Sequence, residues 1–317
     1  MSLDARTNLP AAAAGERRIA DGLAVTRLGF GAMQLPGPGI WGPPADPEAA
    51  IAVLRRAVEL GVTHVDTSQA YGPDVANELI RQALCPYPPE LLVAAKVGVV
   101  RDQQRAFTAA GTPAELRDQV EANLRTLGLD RLGLVYLRVG GDGLLAPGEV
   151  PLAESLGALA DLQARGLIDH LGLSGVTGAQ LSEARRVVPI VAVQNRYHLL
   201  DRGSDDVLAA CERQGIAFVA YFPLGAGLLN PDLDTSRFPP GMGLTADQRS
   251  TLVAAARRHD ATWTQVALAW LLARSPVTLA IPGTTSLAHL EENLAAGRLH
   301  LTATDLAELD ALVAQPA

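Results

Sequence analysis

Between Thr26 and Gly283, eight short and nearly unbroken apolar runs alternate with stretches of helical periodicity. This alternation constrains the fold more than any other feature. The runs are TRLGFGAM (26–33), THVDTS (63–68), LLVAAKVG (91–98), LGLVYLRV (132–139), HLGLSG (170–175), VAVQNR (191–196), AFVAYF (217–222) and TLAIPG (278–283). A strand with one wet face alternates apolar and polar residues. A strand covered on both faces does not, and such strands belong to parallel sheets flanked by helices. The segments between the runs predict helices at 47–60, 74–84, 113–127, 152–165, 178–187, 204–214, 245–258 with 263–273, and 286–295, with a last one at 302–313. Asp46-Pro47 and Thr112-Pro113 open two of them as caps. Glycine ends others in ELG (59–61), TLG (126–128) and ARG (164–166).

Eight strand–helix units in about 280 residues predict a single (β/α)8 TIM barrel of the α/β class over residues 17–317. An open doubly wound sheet would need fewer strands and a phosphate loop after the first. RRIADGLAV, ahead of the first run, predicts an N-terminal β-hairpin turning at Asp21-Gly22 and placed to plug the barrel's bottom. The helix at 302–313 is a C-terminal extra. Residues 1–16 read as a loose tail, because they lack the basic start and apolar stretch of a signal peptide.

A composition of 48% apolar residues supports a large core, and a net charge of −8 disfavours nucleic acid or an anionic membrane as partner. No run approaches the roughly 18 apolar residues of a membrane span. The only cysteines, Cys85 and Cys211, lie in separate helical runs, which fits a reduced cytoplasmic protein. The six histidines show no metal-ligand spacing, so no metal is expected. His64 reads as a packed strand residue, whereas His198 is equally placed to face a cleft or the core.

In a barrel, chemistry gathers at the C-terminal ends of the strands. Those tips carry Asp66 with Tyr71, Lys96, Arg138, Ser174, Gln194 with Asn195, Tyr221, and then IPGTTS. Alone, Lys96 would be a surface strand end and Asp66 a helix cap. Together they form a set: Asp66 pairs with Lys96, and Lys96 lies beside Tyr71. A phenol is a poor proton donor near neutrality, and a neighbouring ammonium favours its ionised form. The set is suited to a general acid that protonates an oxygen gaining charge. GPGIWG (37–42) matches a dinucleotide-binding glycine pattern in letters only. Prolines within and after it prevent a helix from opening at its third glycine. It reads as a loop, with Trp41 as an apolar wall of a substrate pocket.

HVDTSQAYG and AAKVG, with the ordered motifs after them, resemble the aldo-keto reductase superfamily over about residues 26–313. The resemblance implies a catalytic set of Asp66, Tyr71, Lys96 and, at the fourth strand, Arg138. GLSG and VQNRY imply that Ser174 and Gln194 hold a nicotinamide carboxamide. AYFPLGAGLL implies that Tyr221 stacks on the nicotinamide ring while Leu224 and Gly225 approach the pyrophosphate. IPGTTSLAHLEEN implies a clamp of Gly283, Thr284, Thr285 and His289 around a 2′-phosphate, with Glu292 and Asn293 on adenine. The family brings NADPH more often than NADH, and a small carbonyl compound as substrate.

Three positions depart from the family pattern. Arg138 stands where a histidine is usual, Gly175 stands for an asparagine, and the clamp lacks a lysine or arginine. Arg138 with GAMQLPGPGIWGPP is similar to a bacterial branch that includes pyridoxal reductases, which implies an aromatic aldehyde as substrate. The alternative is a nicotinamide-nucleotide-sensing module with incidental turnover. Retention of Asp66, Tyr71 and Lys96 together favours the enzyme.

Overall fold

The computed structural model describes residues 9–141, 145–230 and 243–313. A 3₁₀ turn at Pro10–Ala14 buries Ala11 completely, and the Ala11 N–H donates to Leu60 O at 3.0 Å. The loose-tail reading is therefore corrected for residues 9–16. A run of alanines is small enough to lie flat against neighbouring backbone, and at Gly297 even an added Cβ would come within 3.0 Å of the Ala14 Cβ. Residues 1–8 of that tail lie outside the described residues.

The antiparallel hairpin β1 (Glu16–Ala20) and β2 (Leu23–Thr26) turns at Asp21-Gly22, with Gly22 at a φ of 74°. Eight parallel strands form the main sheet. In sheet order they begin with β3 (Phe30–Gly31), β4 (His64–Asp66) and β5 (Leu92–Val97). After β5 the chain makes a small antiparallel hairpin, β6 (Val99–Arg101) and β7 (Phe107–Ala109), outside the main sheet. The sheet continues with β8 (Leu132–Arg138), β9 (Ile168–Ser174), β10 (Ala192–Arg196), β11 (Ala217–Tyr221) and β12 (Thr278–Ala280). A parallel bridge between Leu28 and Ala280 brings the last strand back to the first. It is carried by Gly29 N–H to Ala280 O and Ala280 N–H to Arg27 O, both 2.9 Å. The seam depends on glycine. A Cβ on Gly283 would stand 2.4 Å from Gly31 O, and one on Gly31 would stand 2.7 Å from Ile281 O. The expected (β/α)8 barrel is what forms.

The helices are α1 (Pro47–Glu59), α2 (Val75–Leu84), α3 (Pro113–Leu127), α4 (Leu152–Ala164), α5 (Gly178–Ala184), α6 (Asp205–Gln214), α7 (Ala246–Arg258), α8 (Trp263–Ala273), α9 (Leu287–Ala295) and α10 (Ala303–Asp310). Their starts follow local chemistry. The Asp46 side chain accepts the Ala49 N–H, and Thr112, Thr177, Thr245, Thr262 and Thr302 each close a reciprocal capping box. Gly128 and Gly215 end α3 and α6 in the left-handed conformation.

Side-chain alternation along the strands divides the core in two. Leu92, Ala94, Leu134, Tyr136, Ala192, Ala217, Val219 and Leu279 form one cluster with Ile19 and Val25 of the hairpin. Leu92, Ala192 and Ala217 open their strands, so β1–β2 plugs the barrel where its strands begin. The intervening residues, such as Val93, Val97 and Val135, pack outward among helix residues such as Leu54, Ile80 and Leu116.

The β6–β7 hairpin has no counterpart in the sequence reading. It turns without glycine: Asp102 Oδ1 accepts the Ala106 N–H at 2.8 Å, and Arg105 takes a φ of 65°. An aspartate that bonds its own turn replaces the usual signal.

Candidate active site

A strand period of two explains why the site forms where it does. Inward positions run His64 then Asp66 on β4, Ala94 then Lys96 on β5, Tyr136 then Arg138 on β8, and Ala192 then Gln194 on β10. The polar member comes last on β5, β8 and β10, and the ionisable Asp66 ends β4. A cavity of about 700 Å³ opens above them, lined among others by Asp66, Tyr71, Lys96, Arg138, Ser174, Gln194 and Tyr221.

Lys96 Nζ donates to Asp66 Oδ1, and Gln194 Nε2 donates to Asp66 Oδ2 at 2.7 Å. Asp66 is 2% exposed, Lys96 7% and Tyr71 8%. An unpaired charge so deep would be very costly, and the pairing explains its presence. Burial alone pushes the Lys96 ammonium down. The Asp66 carboxylate and the Tyr71 phenol more than offset this, and the net direction is up. The Lys96 Nζ stands 5.3 Å from the centroid of the Tyr71 ring. The three residues that the strand tips were expected to bring together, Asp66, Lys96 and Tyr71, do lie together.

Arg138 Nη1 donates to Ser174 Oγ and to Tyr221 Oη, each at 3.3 Å, and its guanidinium carbon lies 5.3 Å from the Tyr221 ring centroid. It therefore ties the tips of β8, β9 and β11 together. Asp142, a carboxylate four residues further along the chain, lies outside the described residues. Asn195 Oδ1 accepts the Gly175 and Val176 N–H groups at 3.0 Å and so pins the loop after Ser174. Gly175 needs its glycine there, at a φ of 69°. Below the cavity, Tyr136 is fully buried. Burial first, and the charge of Asp66 second, push its phenol well up, against a smaller opposing effect of Gln194.

Leu224, Gly283, Thr284, Thr285 and His289 line the far end of the same cavity. There α9 opens at Ser286, whose Oγ accepts the His289 N–H at 3.4 Å. Four expected residues fall outside the lining. Gly225 is buried, and a Cβ there would meet Leu229 at 3.3 Å, although Leu224 and Ala226 on either side do line the cavity. Glu292 turns to accept from Thr262 Oγ1 at 2.7 Å, and Asn293 is 3% exposed in the helix packing. Trp41 is held behind the wall, with the guanidiniums of Arg101 and Arg105 over its ring at 5.4 and 5.2 Å. His198 is also absent from the lining; its Nδ1 accepts the Leu200 N–H at 3.3 Å. His64 is wholly buried in its strand.

Sequence reasoning missed Ile40, Val99, Phe107, Leu145 and Trp263, all in the cavity wall. Phe107 belongs to the hairpin that had no turn signal. Trp263 is the first residue of α8, and nothing in the sequence distinguishes it from an outward-facing helix start.

A family description, the aldo/keto reductase family, matches residues 27–314. The chain belongs to the aldo/keto reductase family. As a member it is a nicotinamide-nucleotide-dependent oxidoreductase. It is 48% identical over 290 residues to pyridoxine 4-dehydrogenase of Escherichia coli K12, covering 91% of this chain and 95% of that one. Among solved structures it is similar to a thermostable aldo-keto reductase bound to the inhibitor epalrestat, with a TM-score of 0.78, 29% identity, and coverage of 94% and 99%. It is also similar to an aldo-keto reductase of Klebsiella pneumoniae in complex with NADPH, with a TM-score of 0.76, 27% identity, and coverage of 94% of each chain.

The family's nucleotide suits the cavity on physical grounds. The N–H groups that open α9 lack partners within the helix and favour an anion. Backbone at φ values of 50° to 62° in Phe222, Gly225 and Ala226 turns the segment that bounds the cavity beyond Tyr221. No group of three His, Cys, Asp or Glu is placed to hold a metal among the described residues. No helix among them is long and apolar enough to cross a membrane.

Proposed function

We propose that this aldo/keto reductase reduces an aldehyde carried on an aromatic ring, such as pyridoxal, with NADPH as electron donor and Tyr71 as proton donor. The observation that carries the reading is the Lys96 ammonium, fixed by Asp66 and facing Tyr71 in the cavity wall. The 48% identity to pyridoxine 4-dehydrogenase supports the substrate class. When bound, the reduced nicotinamide supplies the hydride. Tyr71 gives its hydroxyl proton to the carbonyl oxygen as that oxygen gains charge. Lys96 remains charged beside the phenolate that is left, and Asp66 keeps the ammonium oriented. Arg138 does not exchange protons at any working pH. It fixes the Tyr221 ring and the Ser174 hydroxyl, and its positive charge faces the oxygen that becomes negative.

With the nucleotide bound, Ser174 and Gln194 would hold the carboxamide, Tyr221 would take the nicotinamide ring, and Leu224, with Gly225 behind it, would approach the pyrophosphate. Thr284, Thr285 and His289 with the start of α9 would take the 2′-phosphate, and the half-buried ring of Trp263 lines the same cavity as an apolar surface. Among the described lining residues the lysine and arginine side chains are Lys96 and Arg138, both at the strand tips. Discrimination between NADPH and NADH then rests on hydrogen bonds of roughly 0.5–1.5 kcal/mol each. NADPH is preferred by no more than about a hundredfold in kcat/KM. Two free thiols, Cys85 and Cys211, suit work in a reducing cytosol.

The test is NADPH oxidation with pyridoxal, propanal and acetone, with the product alcohol identified. Pyridoxal should show the highest kcat/KM. Tight NADPH binding without turnover of any aldehyde would instead make the protein a nucleotide-binding module.

A further inference from the structure

Trp41 and the loop around it were expected to touch substrate, yet Trp41 is turned away and grips an arginine. Arg101 ends β6 and lies between two aromatic rings, its guanidinium carbon 4.2 Å from the Phe107 centroid and 5.4 Å from that of Trp41. Its Nη2 donates to Gly39 O at 3.0 Å and its Nη1 to Ile40 O at 3.3 Å. One side chain thus joins the loop at 37–42 to the β6–β7 hairpin. Both partners present cavity residues: Ile40 from the loop, and Val99 and Phe107 from the hairpin. Val99 and Phe107 also pack with Leu145 and with Ala70, the neighbour of Tyr71.

The loop stores strain at the point where it faces the cavity. Ile40, a β-branched residue, sits at a φ of 59°. Such a residue avoids the left-handed region unless its surroundings over-determine it. The surroundings here are Arg101 on two successive carbonyls, Trp41 N–H to Gly37 O at 3.2 Å and Gly42 N–H to Gly72 O at 2.7 Å. Arg101 itself is partly desolvated, and its Nε is buried without a hydrogen-bond partner among the described residues. Two aromatic faces offset that cost, since a weakly hydrated guanidinium stacks well on rings.

We infer that Arg101 is a positioning residue, which holds Ile40 and Phe107 at a fixed separation and so sets how a flat, ring-bearing aldehyde fits beside Tyr71. It does not touch the reacting atoms and acts through the wall. The inference rests on the proposed reading for its substrate, but not for the clamp itself. A small aliphatic aldehyde reaches Tyr71 without leaning on this wall.

The experiment compares Arg101→Met, which keeps length but removes charge and donors, with Arg101→Lys and with Trp41→Leu. The readouts are kcat and KM for pyridoxal and for propanal, the NADPH dissociation constant by fluorescence, and amide hydrogen exchange of residues 37–42. Arg101→Met should raise the KM for pyridoxal by about tenfold or more and that for propanal by less than about twofold, with NADPH affinity unchanged. Exchange across 37–42 should accelerate by about tenfold. Arg101→Lys should fall between Met and wild type, because an ammonium keeps the charge but not the fork. Trp41→Leu should repeat the KM split if Arg101→Met does not fold. A parallel rise of KM for both aldehydes would make the residue merely structural and overturn the inference. If the wild type does not reduce pyridoxal, the substrate reading fails, and unchanged exchange at 37–42 would still refute the clamp.

Discussion

Lys96 shows how much a single residue can reveal. It is the last inward-facing residue of a wholly buried strand, and only a carboxylate partner makes an ammonium tolerable there. Lys96→Met keeps the bulk and removes the charge beside Tyr71. Its kcat should fall about 10²–10⁴-fold, as a steady-state assay with saturating NADPH would show. Asp66, Lys96 and Arg138 were legible because strand ends and a period of two place them together, whereas Tyr71, on the loop after β4, was legible through its spacing from Asp66 in HVDTSQAYG. The orientation of a side chain on a loop or helix is not legible in that way. Trp41 turned toward Arg101 and Glu292 toward Thr262, each drawn by a partner distant in sequence. Gln194 shows a subtler limit: its strand-tip position was foreseen, but its bond to Asp66 was not. Gly283 is a second residue-scale test. Gly283→Ala forces a Cβ against Gly31 O at the barrel seam and should cost about 1–3 kcal/mol, measured by urea unfolding.

Elements were legible where their punctuation is local. The caps at Asp46 and Thr112 and the terminal glycines marked several helices, and continuous apolar runs marked the eight strands. The β6–β7 hairpin escaped because Asp102 and Arg105 build its turn without glycine or proline. The last helix, α10, can be tested by itself. It is held by Asp305, whose side chain is 3% exposed and accepts from Thr302 N–H and Oγ1, from Arg258, and from His259 Nε2. Burial alone would push this carboxyl up. The hydrogen bonds from Thr302, His259 and Arg258 prevail and hold it well below the usual carboxylate range. Asp305→Ala should cost about 2–4 kcal/mol in chemical denaturation and leave kcat unchanged, since α10 contributes nothing to the described cavity lining.

At the scale of the whole molecule, the barrel buries His64 and half-buries His198, and no catalytic reading needs either. Burial lowers both His64 and His198 from 6.5 to about 4. Between those values the unfolded chain binds more protons than the folded one, so stability is full above about 6.5 and falls as pH drops towards 4. His64→Leu should flatten that acid limb in thermal melts taken from pH 7 to pH 4. The closed barrel also brings the residues proposed for both halves of the reaction into one cavity, those for the nucleotide from β9 to α9 and Tyr71 on the loop after β4. The most direct test of that claim is a stopped-flow single turnover of pyridoxal by enzyme saturated with NADPH, comparing wild type with Tyr71→Phe. The ring and cavity survive in the variant, so NADPH should bind as before while the rate of NADPH oxidation falls by at least about 10²-fold. A Tyr71→Phe rate close to wild type would contradict the assignment of Tyr71, and with it the purpose given to Asp66 and Lys96.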